Sequence, residues 1–234
     1  MNFIAGYLYL TLGGQSEDIT FAVLKEIISR RQMHDLFNTQ LPMLKLNFYQ
    51  MDRLIAILIP DLHSHFKDEN VNSSYFSAPY FITLFTSTLQ LQTTMDSAAL
   101  LLRLWDYFII NGWKAIFKVS LAMLSHFEEQ MLAMNFEVLL TQIVNIPTKY
   151  LVREYADAAE ESKAIQTFDK QIKGIKLPTM LLERLKKEFD ENYEVSKRSG
   201  SISGGPSDEK PTTSIPKSSG GFRSLFSSNK KERE

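Results

Sequence analysis

Apolar residues recur along most of this chain at intervals of three and four, the spacing that lines one face of an α-helix. Residues 3–12 read as a first apolar helix, stopped at Gly13-Gly14 because paired glycines carry a high entropy cost inside a helix. Ser16 is placed to cap a second helix. Glu17 and Asp18 complement its positive end, and Phe21, Leu24, Ile27 and Ile28 follow at helical spacing. Pro42 can open a longer helix, since its missing N–H is not needed in the first turn, with Leu44, Phe48, Met51, Leu54, Ile55 and Leu58 as the buried stripe. Pro60 should end or kink it, leaving Asp61–Phe66 as a short continuation and Lys67–Ser74 as a loop.

Tyr75–Thr88, Asp96–Ile110, Trp113–Phe127 and Asn135–Val144 are four further helical candidates, with Asn111-Gly112 a stop signal and Pro147 the end of the last. Strict apolar–polar alternation is nearly absent, so the expected fold is all-α. Beyond Pro147 the pattern changes. Thr148–Ala164 and Leu177–Val195 read as charged helices without a wide apolar face, appended to the main body. From Lys197 onward Ser, Gly, Pro and Lys dominate, and so little apolar surface cannot offset chain entropy, so a disordered tail is expected.

Charge sharpens this division. The net charge is −1, yet residues 197–234 carry eight Lys/Arg against four Asp/Glu, leaving 18 against 23, or −5, for residues 1–196. The body offers no basic face for a phosphate backbone, so a nucleic-acid partner is not expected. With no cysteine in 234 residues, disulfides, thiolate metal sites and a cysteine nucleophile are excluded. The N-terminal apolar stretch lacks the basic flank of a signal peptide. The run Ala98–Ile110 contains Arg103 and Asp106 and falls short of the roughly 20 apolar residues of a membrane span.

Chemistry on a small substrate has little to stand on. Asp61 and His65 lie four apart and could share a helical face, but two ligands without a further Cys or His are weak support for a metal, and a solvated or capping pair is the plainer reading. No metal or cofactor is expected. The glycine pairs lack the Lys-Ser/Thr of a phosphate loop, and no serine elbow or HExxH motif occurs.

Three groups of residues together resemble the TBC domain of Rab GTPase-activating proteins: Met1-Asn2-Phe3-Ile4-Ala5-Gly6; Ile59-Pro60-Asp61-Leu62-His63-Ser64-His65-Phe66 with Tyr80-Phe81-Ile82-Thr83-Leu84-Phe85; and Arg103-Leu104-Trp105-Asp106 through Gly112, continuing into Trp113–Val119 and Leu121–Leu124. Their order and spacing are those of the family over roughly residues 1–147. Tyr80 stands where the family usually has Trp.

In the family, Met1-Asn2-Phe3 normally follows a Tyr-x-Gln-Gly motif, with Ile-x-x-Asp-x-x-Arg further upstream. The Arg neutralises charge on the transferred phosphoryl and the Gln orients the attacking water. Neither motif occurs in this chain, so the resemblance implies a TBC-like domain that begins after the finger residues, with no catalytic residue of its own. By the same resemblance Asn2, Phe3 and Gly6 are candidates to lie beside the GTPase, whereas Pro60, His65, Phe81, Phe85, Arg103, Trp105, Asp106 and Gly112 are architectural. Arg103 and Asp106, three apart, are expected to form a buried pair.

The expected domains are a partial TBC-like helical domain at 1–147, appended charged helices at 148–196 and the disordered tail at 197–234. The implied partner is a Rab-family small GTPase in its GTP form, with activation of that GTPase as the family's role and a finger-less adaptor in membrane trafficking as the alternative. The implied location is cytoplasmic, with peripheral attachment to endomembranes as a further candidate. In the tail, Phe222, Leu225 and Phe226 amid Arg223, Lys230 and Lys231 are a candidate for weak contact with anionic membrane, against the plainer reading of a solvated segment.

Overall fold

The structure, a computed structural model, describes residues 1–14, 16–89 and 96–198, and the side chains of Asp96 and of residues 194–198 fall outside the description. The described residues hold twelve α-helices and no strand, as the spacing predicts. The tail expected from Lys197 lies outside the described residues except for its first two, which end the last helix.

Helix α1 (Asn2–Thr11) turns at Gly13 and Gly14, both at positive φ, into α2 (Glu17–Arg30). The cap is the expected one: the Ser16 hydroxyl accepts a hydrogen bond from the Ile19 N–H. Only Thr20 of α2 is buried, and Phe21 of the expected stripe is exposed. Pro42 opens α3 (Pro42–Leu58), which buries Leu44, Met51, Leu54 and Ile55, and Pro60 opens α4 (Pro60–Asp68).

Next comes α5 (Ser74–Ile82), shorter than expected. Pro79 lies inside it, and the Thr83 hydroxyl donates to the Pro79 carbonyl at 2.7 Å, a local bond that competes with helix continuation. Leu84 and Phe85 then take left-handed backbone, and only a short 3₁₀ turn at Thr86–Thr88 remains of the expected second half.

Helices α6 (Ala99–Asn111) and α7 (Trp113–His126) form the centre. Leu100, Leu101, Leu104, Trp105 and Phe108 of α6 and an almost unbroken buried run from Ala115 to Leu124, apart from Lys118, make most of the core with α3 and α5. A short α8 (Glu128–Leu132) leads to α9 (Phe136–Ile143), whose N-cap Asn135 accepts from the Val138 N–H at 3.1 Å.

The expected single helix Thr148–Ala164 is in fact two, α10 (Ile146–Leu151) and α11 (Ala158–Gly174). The break is local: Asp157 caps α11 by accepting from the Glu160 N–H at 2.8 Å, while the Glu160 carboxylate reaches back to the Ala156 N–H at 2.7 Å. Nor is α11 merely laid on the surface. It packs on α6 and α7 and buries Phe168 and Ile172, and the first compact unit runs from Met1 to Lys186 without a break in packing at 147. Helix α12 (Thr179–Arg198) starts in that unit, where Gln50 donates to the Leu182 carbonyl at 2.9 Å. Its later turns belong to a second unit beginning at Lys187, in which Phe189 and Tyr193 stack.

Candidate functional site

Helix α1 divides its residues by face. Ile4, Tyr7 and Leu8 are buried and fix the helix, the Tyr7 ring lying 4.7 Å from Trp105 on α6. Asn2, Phe3 and Gly6 are exposed, Phe3 by 55%, and Leu10 continues the same stripe one heptad on. A methyl group added at Gly6 would meet nothing within 4 Å, so nothing in this fold requires that glycine. Residues 1–14 hold no charged side chain. The outer face of α1 is therefore an uncharged, partly apolar strip, suited to contact by shape and burial rather than by ion pairing.

The residues expected to be architectural lie on α4, α5 and α6 and in the turns after α5 and α6. Pro60 starts α4, and the His65 imidazole bonds the Met134 carbonyl through Nε2 at 2.9 Å. Phe81 meets Phe117 of α7 at 5.3 Å, and Phe85 stacks on Tyr80 at 4.6 Å. Trp105 is buried, with its Nε1 lacking a hydrogen-bond partner. Gly112 has φ 63° and ψ −147°, backbone that an L side chain rarely adopts, and a Cβ there would lie 3.2 Å from Arg31 Nη1. That arginine is a strut missed by sequence reasoning: its guanidinium donates to the Ile109 carbonyl and lies over Phe108, while its own carbonyl accepts from Trp113 Nε1 at 2.8 Å.

Arg103 departs from expectation. It is half-buried rather than buried, and Asp106 is an exposed secondary partner at 3.3 Å. The main partner is Asp169 of α11, gripped through Nε at 2.8 Å and Nη2 at 2.6 Å, with the Tyr107 hydroxyl donating to the same carboxylate at 3.1 Å. The fork geometry of guanidinium and carboxylate favours Asp169, whereas Asp106, one turn along the same helix, offers a single bond. Those Arg103 hydrogen bonds hold the Asp169 carboxyl below the usual carboxylate range.

A depressed folded-state pKa means that the pair stabilises the fold above the unfolded carboxyl value, about 3.9, and that this contribution is lost as pH falls through the folded value. With Arg103 36% and Asp169 17% exposed, solvent screening reduces the effect. Arg103→Ala should therefore cost about 1–2 kcal/mol at pH 7 and much less at about pH 2.5. Urea midpoints at the two pH values check this, and an equal loss at both would remove the ion pair as its cause.

A family model for the Rab-GTPase-TBC domain matches residues 1–132. The chain is similar to the Ecotropic viral integration site 5 ortholog of Drosophila melanogaster, 29% identical over 187 residues, which is 80% of this chain and 21% of that protein. It is also similar to the Rab GTPase-activating protein eat-17 of Caenorhabditis elegans, 27% identical over 188 residues, 80% of this chain and 19% of the relative. Rab GTPase-activating protein tbc-11 of the same organism is 30% identical over 151 residues, 64% of this chain and 15% of its own length. The chain thus spans about one fifth of the length of the first two relatives. With more than half of its residues matched by that model, the chain belongs to the Rab-GTPase-TBC domain family.

Proposed function

We propose that this chain binds a Rab-type small GTPase in its GTP form and that it does so without accelerating hydrolysis, because the two finger motifs do not occur in its 234 residues. The observation that carries the reading is the family match over residues 1–132. Asn2, Phe3 and Gly6 on the outer face of α1 are the GTPase-facing residues in this proposal. Their exposure and the uncharged character of α1 support that role.

The wider role is regulation of Rab proteins in membrane trafficking, either as part of an activator whose fingers come from other residues or as a finger-less adaptor. In either case this chain's own arginines do not supply the finger in this proposal: Arg31 bonds the Ile109 carbonyl and Arg103 grips Asp169, while Arg30 makes only an exposed pair with Glu26.

The test is binding of the full chain to a panel of GTP-loaded Rab proteins by biolayer interferometry. Phe3→Asp places a charge in the centre of the strip and should weaken the best pair about tenfold or more, or about 1.4 kcal/mol. Since α1 carries no charge, raising the salt concentration should change the affinity little. If no Rab binds, or if Phe3→Asp leaves the affinity unchanged, this assignment of function or surface is wrong.

A further inference from the structure

Charge is unevenly placed on the body, where residues 1–196 carry 18 Lys/Arg against 23 Asp/Glu. Against that acidic background, two stretches, 107–127 and 170–182, hold five lysines and no Asp or Glu. The fold brings the two stretches to one end. Arg103, early on α6, grips Asp169, whereas Lys118, on α7 and closer in sequence to the turn at Gly112, donates through Nζ to the Ile172 carbonyl at 3.0 Å. From Asp169 to Ile172, α11 therefore runs toward that turn, and it ends at Gly174 beside it. Lys114 stands one turn before Lys118 on α7, while Lys173 lies at the end of α11 and Lys176 just past it.

These charges are close enough to feel one another: burial first, and then the like charge of Lys114, hold the Lys118 ammonium below its usual pKa. The negative end of the α11 dipole accounts for Lys118. Lys173 reaches Asp169 only at 3.9 Å, and that carboxylate is already forked by Arg103. Two apolar side chains protrude at the same end. Ile110, just before the Gly112 turn, is 75% exposed, and Met180, in the first turn of α12 shortly after Lys176, is 79% exposed, the two highest values for large apolar residues among those described.

The kind of partner follows from this combination. Side chains that protrude from two separate turns offer a folded protein no groove to fill, and lysine is depleted in protein–protein interfaces. A bilayer asks for no such shape: it takes in protruding apolar groups and attracts the point charges spread around them. No helix among the described residues is long and apolar enough to cross a membrane, so contact of this kind is made at the surface.

We propose that this end of the body docks on an anionic lipid bilayer, with Ile110 and Met180 entering the headgroup boundary and Lys114, Lys118, Lys173 and Lys176 facing the lipid anions. The inference is independent of the Rab reading and of the tail. It uses no residue of α1 and none beyond the first turn of α12.

The test is co-sedimentation of the full chain with vesicles of phosphatidylcholine, alone or mixed with phosphatidylserine, at low salt. The chain should bind the phosphatidylserine vesicles at least about tenfold more strongly than the neutral ones, and added salt should release it. Each lysine near an anionic surface is worth about fivefold, so Lys114→Glu combined with Lys176→Glu, which removes two attractions and adds two repulsions, should weaken binding about a hundredfold or more. Ile110→Ser should weaken it about threefold to tenfold through lost apolar burial. Ile110→Trp should strengthen it severalfold, because indole favours the headgroup level. Misfolding does not produce such a gain, so the test stands even if the charge-reversed chain fails to fold. Absence of binding to the phosphatidylserine vesicles, or equal binding to both kinds, overturns the proposal. Binding that the lysine and Ile110 variants leave unchanged, as a contact made by the tail alone would be, overturns it as well.

Discussion

Added to any GTP-loaded Rab protein, including one that it binds, this chain should leave single-turnover hydrolysis within about twofold of the intrinsic rate. An arginine finger is worth about 10³ to 10⁵ in rate, or about 4–7 kcal/mol of transition-state stabilisation, because it sets a fixed positive charge where phosphoryl charge accumulates. Every arginine whose side chain is described is already engaged. Arg30, Arg31 and Arg103 are held as above, Arg153 donates to the Tyr150 carbonyl at 2.9 Å, and Arg53 and Arg184 also have partners. Pulling Arg103 out would break its fork on Asp169, and pulling Arg31 out would free the Ile109 carbonyl beside Gly112. Gln32, next to Arg31, is an exposed residue at φ 53° and the one glutamine adjacent to these arginines. The measurement is phosphate release under single-turnover conditions across a Rab panel, after circular dichroism has shown a cooperative unfolding transition. A hundredfold acceleration that vanishes on Arg31→Ala or Gln32→Ala would place a finger inside this chain and sink the adaptor reading.

The helices that carry the core were legible because their own sequence decides them. The stripes of α3, α6 and α7 are long and are closed off by Pro60 and Gly112, residues whose backbone chemistry leaves little choice. What the pattern could not convey is whether an apolar stripe meets another. Phe21 repeats in step with Leu24 and Ile28, yet it is 67% exposed, because α2 packs on α1 through other positions. The reverse error occurs at α11, since the expected charged helix stops at Ala164, short of Phe168 and Ile172, the two residues that α11 buries.

Long-range pairing was the other blind spot. Asp106 is the nearest acid to Arg103 in sequence, but its true partner comes 66 residues later, and no periodicity links α6 to α11. The break at Leu84–Phe85 is local by contrast: Pro79 and the Thr83 hydroxyl on its carbonyl compete with helix continuation, and Phe85 then stacks on Tyr80 five residues before it. At the candidate site, Phe3 and Ile4 are equally apolar neighbours, and only the packing of Tyr7 against Trp105 decides which of them faces outward.

Phe81→Ala should lower unfolding free energy by about 3–5 kcal/mol, the range for truncating a buried aromatic, and so remove a large part of the roughly 5–15 kcal/mol that holds a domain together. Phe81 is fully buried where α5 crosses toward α7, its ring 5.3 Å from Phe117, itself 1% exposed. Neither helix can close the gap cheaply. Pro79 and the left-handed pair that follows fix the path of α5, while α7 is pinned by α6 on another face and by α3 and α10. The void would therefore persist, and a persistent void is what carries such a substitution to the upper end of its range. At about 2–4 °C per kcal/mol for a unit of this size, the melting temperature should fall by about 6–20 °C. Phe81→Leu keeps most of the volume and should lose less than half as much. Phe136→Ala, at a 40% exposed position on α9, should lose less than about 1 kcal/mol. Urea unfolding followed by far-ultraviolet circular dichroism measures all three variants against the wild-type chain. A loss below about 1 kcal/mol for Phe81→Ala, similar to that of Phe136→Ala, would mean that the seam between α5 and α7 is not close-packed in solution, and the placement of the turn at Leu84 and Phe85 would fall with it.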